Sequence, residues 1–232
     1  MLIDRKSISA EIIVDLYKYL WDEYGARPMS CDGVSQLSDS GGSDWYHIYR
    51  FNASYLGSTV HWDHDQRKQH IYDTIEAVVP RDASVLDLGC ASGITGLTLI
   101  KRGYTNVSFC DFPGIGGGFV AYELEQWGMK DSFIEYGQEE GMKFDWVLAC
   151  DVVEHVPNPL TFLRWICRLC KVGAVVSYPN IPWSPPYTPM TVDMHIDTKL
   201  LLRAAENLFT LTGVFKDHGG VELVLHRREW GV

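Results

Sequence analysis

The chain has 232 residues, of which 46% are hydrophobic, and this is enough for one large domain with a full core. Its formal net charge of −10, from 20 basic and 30 acidic residues, argues against a nucleic-acid partner, because phosphate binding needs a basic surface. No apolar run approaches the roughly 20 residues that span a bilayer, so no membrane partner is expected. We expect a cytoplasmic protein, and the six cysteines, mostly in apolar segments, support this.

The N-terminal segment differs in pattern from the rest of the chain. Residues 8–24 carry apolar side chains at the three-to-four spacing of an amphipathic helix. Residues 27–66 are rich in Gly, Ser, Asp and aromatic residues and show no sustained period, which predicts an irregular cap or lid. We therefore assign residues 1–66 to an N-terminal helical and irregular cap, and residues 67–232 to the main domain.

From about residue 67, short apolar strands alternate with helices. This alternation predicts a Rossmann-like α/β fold, with a doubly wound, mostly parallel sheet covered by helices on both faces. The last two strands follow each other directly through HGG, which predicts a hairpin and therefore one antiparallel strand near the C-terminal end. The seven predicted strands are SVLDLG (84–89), VSFCD (107–111), SFIEYG (132–137), FDWVLACD (144–151), AVVSYP (174–179), FTLTGVFKD (209–217) and VELVLHRRE (221–229).

The first strand runs into a glycine-containing turn, VLDLGCASGITGL, at residues 85–97. Gly89 and Gly93 flank a tight strand-to-helix turn, where missing side chains let the backbone approach a ligand. Asp111 ends the second strand 18 residues after Gly93, close to the spacing at which a carboxylate accepts both ribose hydroxyls of an adenosine ligand. Asp87 precedes the turn; its charge disfavours a pyrophosphate but suits a cationic amino or sulfonium group. The pattern therefore favours S-adenosylmethionine over a dinucleotide.

Two segments resemble motifs of the class I S-adenosylmethionine-dependent methyltransferases. VLDLGCASG is similar to their motif I, and FDWVLACDVVEHVPNP is similar to their fourth-strand motif. The resemblance covers about residues 67–227 and implies a methyltransferase that uses S-adenosyl-L-methionine and releases S-adenosyl-L-homocysteine. Ala91 stands where the family most often has Gly, and we expect it to be accommodated because it is small.

The resemblance also implies which residues hold the cofactor. The glycine turn would form part of the cofactor site, the acid that ends the second strand would hold the ribose, and the residue after it would lie against the adenine. Either Gln138 or Glu139 would meet the adenine edge, and Asp151 would face the methionine portion and the transferred methyl. The predicted cofactor residues are Asp87, Gly89, Cys90, Ala91, Gly93, Asp111, Phe112, Gln138, Glu139 and Asp151.

Two histidines are candidates for catalysis. His155 follows the fourth strand and His195 precedes a predicted helix, so both fall at the carboxyl edge of the sheet, where open α/β sheets bind ligands. A His near neutral pKa suits the removal of a proton from an acceptor hydroxyl. Glu154 and Asn158 are alternative caps of the helix that follows. The sequence does not decide between the two histidines.

Two stretches that contain acidic residues and histidine suggest a metal site, but metal binding is not favoured. Asp193, His195 and Asp197 alternate with apolar residues, but a helix cap and a loop ion pair explain two of these three groups. Residues 61–65 read HWDHD, but no defined helix or hairpin fixes the spacing of these groups. We predict methyl transfer to a small-molecule acceptor, most readily at a hydroxyl oxygen. The alternatives are an NAD-dependent oxidoreductase and a non-catalytic protein that binds S-adenosylmethionine.

Overall fold

A computed structural model describes residues 66–112, 114–156, 158–179, 198–217 and 220–228. The chain order of helices and strands alternates as the sequence predicts, and two short 3₁₀ turns, Lys130–Ser132 and Val153–His155, interrupt it. The elements are α1 (Gln66–Val78), β1 (Val85–Leu88), α2 (Ile94–Lys101), β2 (Val107–Asp111), α3 (Ile115–Gln126), β3 (Phe133–Glu135), β4 (Phe144–Cys150), α4 (Pro159–Leu169), β5 (Cys170–Pro179), α5 (Thr198–Leu208), β6 (Phe209–Asp217) and β7 (Gly220–Arg227).

The seven strands form one sheet in the order β3-β2-β1-β4-β5-β7-β6. Strand β7 lies between β5 and β6 and is antiparallel to both, whereas the other neighbouring pairs are parallel. The predicted mostly parallel sheet with a C-terminal hairpin is confirmed. The chain order reverses between β1 and β4, and open α/β sheets bind ligands at the carboxyl ends of the strands beside such a reversal.

Two apolar cores lie on opposite faces of this sheet. One packs α1, α2 and α3 against the strands and includes the fully buried rings of Phe109 and Phe119. The other packs α4 and α5 and includes Leu163 and Phe209. Each fully buried side chain of this size contributes roughly 1.5–3 kcal/mol to folding. The two cores therefore stabilise, from both faces of the sheet, the strands whose ends form the site.

Several sequence predictions concern residues outside the described ranges. They are the helix over residues 8–24, the cap over residues 27–66, the HWDHD stretch, and the Asp193, His195 and Asp197 group. The proposed division at residue 66 stays a prediction. Within the described part of the chain, no helix is both long and apolar enough to cross a membrane.

Candidate cofactor and active site

The turn between β1 and α2 requires glycine at two positions. Gly89 and Gly93 have φ angles of +72° and +71°, in the left-handed region that glycine adopts without strain. A β-carbon on Gly89 would lie 2.7 Å from Cγ1 of Val152, and one on Gly93 would lie 2.8 Å from Cγ2 of Val120. The glycines therefore let this turn pack closely between the loop after β4 and helix α3.

Ala91, at the centre of the turn, also has a positive φ, of +48°. We expected this departure from the family pattern to be tolerated because alanine is small, and its side chain does fit at the cavity wall. Its cost lies in the backbone, because the left-handed conformation of a residue with a β-carbon is unfavourable by about 1 kcal/mol or more. Its amide donates a 2.6 Å hydrogen bond to Oδ2 of Asp111, which holds the turn in this conformation.

Asp111 lies at the end of β2 beside this turn. Its carboxyl accepts two backbone hydrogen bonds, from Ala91 at Oδ2 and from Phe112 at Oδ1, both 2.6 Å long. Burial raises the pKa of Asp111 from 3.8 to about 6, against the lowering effect of these two bonds. An ionised carboxylate has about four acceptor sites, so two remain for further donors such as ribose hydroxyls.

Asp87 and Cys90 lie beneath the turn rather than at the cavity. Asp87 is only 2% exposed, and its Oδ2 accepts a 2.8 Å hydrogen bond from the amide of Gly96 in helix α2. Burial raises the pKa of Asp87 to about 6, and it raises the pKa of the Cys90 thiol well above its usual range. Both residues, with Gly93, support the turn from behind and are absent from the cavity wall.

Glu139 and Gln138, the two alternatives for the adenine edge, differ in position. Glu139 is 5% exposed, lines the cavity and accepts a hydrogen bond from the amide of Gly137. Gln138 is exposed and does not line the cavity. Glu139 is therefore the member of the pair that a ligand in this cavity can meet.

Asp151 follows β4 in a conformation unusual for a residue with a side chain, with φ at +58°. Its amide donates to the carbonyl of Ser177, and its Oδ2 lies 3.1 Å from Nζ of Lys68. The side chains of Lys68 and Asp151 are only 8% and 15% exposed, so this ion pair is buried at the cavity wall. Backbone strain of this kind concentrates at ligand sites.

Lys68 was missed by the sequence analysis. It lies on α1 three residues before Ile71, which is fully buried, and so shares the helix face that packs on the sheet. A charged side chain on the apolar face of an amphipathic helix was the available signal, because such a group needs a buried partner.

His155 ends the 3₁₀ turn Val153–His155 and lines the cavity. Its Nε2 lies 3.7 Å from Oε1 of Glu154, a distance at which a protonated imidazole forms an ion pair. Glu154 is 5% exposed and does not cap the next helix. That role belongs to Asn158, whose side-chain oxygen accepts the amide of Thr161 at 3.0 Å. His195 lies outside the described residues.

One cavity of about 890 Å³ joins these groups at the carboxyl edge of β1, β2 and β4. It combines a small set of polar groups with apolar and aromatic walls, the usual composition of a small-molecule site. Among the described residues, no group of three or more His, Cys, Asp or Glu could hold a metal ion. The predicted site residues that line this cavity are Gly89, Ala91, Asp111, Phe112, Glu139, Asp151 and His155.

Comparison with known proteins assigns this arrangement to a family. Residues 62–219 match the family described as "Methyltransferase domain". A relative named ubiquinone biosynthesis O-methyltransferase, from Methylobacterium nodulans, is 30% identical over 137 residues, which are 55% of this chain and 51% of that protein. The chain spans about half the length of the curated relatives it matches.

Solved structures share the fold at low sequence identity. Magnesium protoporphyrin IX methyltransferase from Synechocystis PCC 6803, solved with bound S-adenosylmethionine, has a TM-score of 0.56 and 17% identity, covering 88% of this chain and all of that one. An O-methyltransferase family protein from Burkholderia thailandensis has a TM-score of 0.58 and 12% identity, covering 95% of this chain and 72% of that one. The family match favours S-adenosylmethionine over NAD as the adenosine ligand.

Proposed function

The chain belongs to the class I S-adenosylmethionine-dependent methyltransferases, and from this premise we propose that it methylates a hydroxyl oxygen of a small-molecule acceptor. The observation that carries the proposal is that Asp111, Asp151 and His155 line one cavity, where they would serve as a ribose acceptor, a charged cofactor contact and an acid–base group. The printed name of the relatives, which includes O-methyltransferase, supports oxygen as the methylated atom.

The residues present fit the cofactor. Asp111 has acceptor capacity for two ribose hydroxyls, and Phe112 and Glu139 line the same cavity, where they would contact the adenine ring and its edge. Asp151 would meet the methionine portion, with Lys68 balancing its charge. When bound, S-adenosylmethionine supplies a methyl group on a positively charged sulfur.

The protein would act mainly by position. Direct displacement needs the acceptor oxygen, the methyl carbon and the sulfur in line, and a cavity with largely apolar walls would hold the reactants in that alignment. A neutral hydroxyl is a weak nucleophile, so its proton must leave as the new bond forms. We assign this proton to the imidazole of His155, with Glu154 stabilising the imidazolium that results. His195 is the alternative base.

The test measures binding and transfer separately. Isothermal titration calorimetry should show one site for S-adenosylhomocysteine, and tritium-labelled S-adenosylmethionine should transfer label to hydroxylated compounds in a small-molecule panel. Label recovered on amino compounds alone would refute oxygen as the methylated atom. Binding without transfer to any acceptor pool would instead indicate a non-catalytic cofactor-binding protein.

A further inference from the structure

The cavity extends beyond the residues that the cofactor would use. Its remaining wall lies between the loop after β3 and one face of α4, and we name this part the distal chamber: Tyr136, Met142, Phe162, Trp165 and Arg168. The whole cavity, at about 890 Å³, is near the upper end of the roughly 300–1,000 Å³ typical of small-molecule pockets. The cofactor and a second group can therefore share it.

A continuous series of aromatic rings leads from the proposed adenine position into the distal chamber. The centroids of Phe112 and Tyr136 are 4.6 Å apart, those of Tyr136 and Trp165 are 5.3 Å apart, and those of Trp165 and Phe162 are 5.6 Å apart. These spacings are typical of interacting aromatic pairs. Tyr136 keeps 49% of its surface exposed, so the wall offers aromatic surface to a ligand.

Helix α4 contributes Phe162 and Trp165 of this series and lines the chamber with a single face. The cavity-lining positions on it recur at three- and four-residue intervals, as one helix face requires. At 1.5 Å per residue, the face from Asn158 to Leu169 is roughly 15 Å long. It begins beside His155 and continues past Trp165. The lining residues are Asn158, Thr161, Phe162, Trp165, Arg168 and Leu169.

The far end of the chamber carries two cations, Lys143 and Arg168. The ammonium of Lys143 donates to the main-chain carbonyl of Arg168, which ties the loop to the helix. No carboxylate in the described part of the chain pairs with the Arg168 guanidinium. Glu139 is buried and accepts the Gly137 amide, while Glu140 is exposed at the rim. A guanidinium beside aromatic rings favours a planar, negatively charged ligand.

We propose that the distal chamber is a second ligand subsite, which binds a planar aromatic group with an anionic substituent while the cofactor is bound. The ring would stack on one of the two perpendicular rings of Tyr136 and Trp165 and meet the other edge-on, and the anion would pair with Arg168. The inference rests on the proposed function in one respect, because it places adenine between Phe112 and Glu139.

Fluorescence titration with 1-anilinonaphthalene-8-sulfonate, a planar aromatic anion, tests the subsite on the full chain. We expect one binding site that persists at saturating S-adenosylhomocysteine. Trp165→Ala should weaken probe binding about tenfold and Trp165→Phe should largely restore it, because aromatic stacking supplies the affinity. Arg168→Gln should weaken the probe several-fold without affecting its uncharged analogue, N-phenyl-1-naphthylamine. Arg164→Gln is the matched control, because Arg164 is exposed on α4 and outside the cavity wall.

Displacement of the probe by S-adenosylhomocysteine, or equal affinity in the wild type and Trp165→Ala, would overturn the subsite. Equal losses with Arg164→Gln and Arg168→Gln would overturn the anionic preference. Failure of the proposed function would give a different result from failure of the subsite. A chain that binds no S-adenosylhomocysteine can still show the Trp165-dependent probe site. During turnover, competition of the probe with the methyl acceptor would identify the ring as part of the acceptor, and inhibition independent of acceptor would identify a separate ligand.

Discussion

The carboxyl of Asp111 is oriented by the protein itself, because the amides of Ala91 and Phe112 donate to both of its oxygens. A preoriented group loses little entropy on binding, so its hydrogen bonds contribute more of their energy to affinity. Asp151 is held in a similar way by Ser177 and Lys68. At the scale of single residues, each of the two proposed cofactor contacts is held in position by hydrogen bonds or an ion pair from neighbouring residues.

Replacing Asp111 with Asn should weaken S-adenosylhomocysteine binding. A hydrogen bond to a charged group contributes about 1.5–3 kcal/mol, which corresponds to a loss of roughly 10- to 100-fold. The wild type should also lose affinity as pH falls through about 6, where the Asp111 carboxylate becomes protonated, whereas the Asn variant should not. Calorimetry from pH 5 to pH 8 checks both, with Asp131→Asn, an exposed substitution, as control. Unchanged affinity would remove Asp111 from the ribose site.

Replacing His155 with Ala should lower kcat while cofactor affinity stays unchanged. Loss of a general base typically lowers rate by about 10²- to 10⁴-fold, and the proposed cofactor contacts lie on other residues. The measurement is labelled methyl transfer beside calorimetry with S-adenosylhomocysteine, with His226→Ala as control because His226 does not line the cavity. Unchanged turnover would transfer the role to His195.

Removing one partner of the buried ion pair between Lys68 and Asp151 should destabilise the protein. Lys68→Met removes the ammonium that balances the Asp151 carboxylate at a largely buried position, and breaking a buried ion pair from one side typically destabilises a protein by about 3–5 kcal/mol. The double variant Lys68→Met with Asp151→Asn should recover much of this loss, since Asn also tolerates a positive φ. Urea denaturation midpoints of the two single variants and the double variant measure the loss of stability and its recovery. Additive effects of the two substitutions would show that the pair is not coupled.

Helix α4 brings together the capping residue, the base candidate and the distal chamber at the scale of one element. Asn158 caps its first turn, and Pro159 occupies the first helical position, where a missing N–H is harmless. Asn158→Ala should lower the free energy of unfolding by about 1 kcal/mol. Asn158→Ser should lower it much less, because a serine hydroxyl can also accept the hydrogen bond at this position. Equal denaturation midpoints for Ala and Ser would show that the cap hydrogen bond contributes nothing.

The order of the elements was predictable because each strand buries a short apolar run between turns. The ends of the elements were less predictable. Strand β3 ends at Glu135 because the chain turns at Tyr136 and Gly137, and the φ angle of Gly137 is +99°. The sequence predicts that the fifth strand begins at Ala174, but β5 begins at Cys170, because Cys170 pairs with Phe144 of β4. Tertiary pairing overrides local preference at such boundaries.

The site was predictable only where local geometry defines it. Gly89 and Asp111 are recognisable because a tight turn and a strand end need them at a fixed spacing. Lys68 and Trp165 were not recognisable from the sequence, because their roles depend on which elements lie beside them in the folded protein. Asp87 carries the motif's charge yet faces the core, so the motif indicates a turn more reliably than a direct contact.

Across the whole molecule, two carboxyls with raised pKa values make stability depend on pH. Asp87 and Asp111 each have a pKa of about 6 in the folded protein, against 3.8 for an ordinary Asp, with burial as the main cause. Between these values the folded state holds a proton that the unfolded state has released, so stability falls as pH rises from about 4 to about 6. A shift of about 2 pKa units corresponds to roughly 3 kcal/mol per group.

Asp87→Asn should remove one of these two contributions and keep an acceptor for the Gly96 amide. Relative to the variant, the wild type should therefore lose stability as pH rises from 4 to 6, and the difference should be constant above about pH 7. Urea denaturation at half-unit pH steps measures this difference, and Asp131→Asn, an exposed substitution, controls for the change in net charge. Parallel stability curves for the wild type and Asp87→Asn would mean that burial does not perturb this carboxyl. The same pH interval governs the proposed ribose contact of Asp111, so the protonation of Asp111 that stabilises the fold below about pH 6 should weaken cofactor binding.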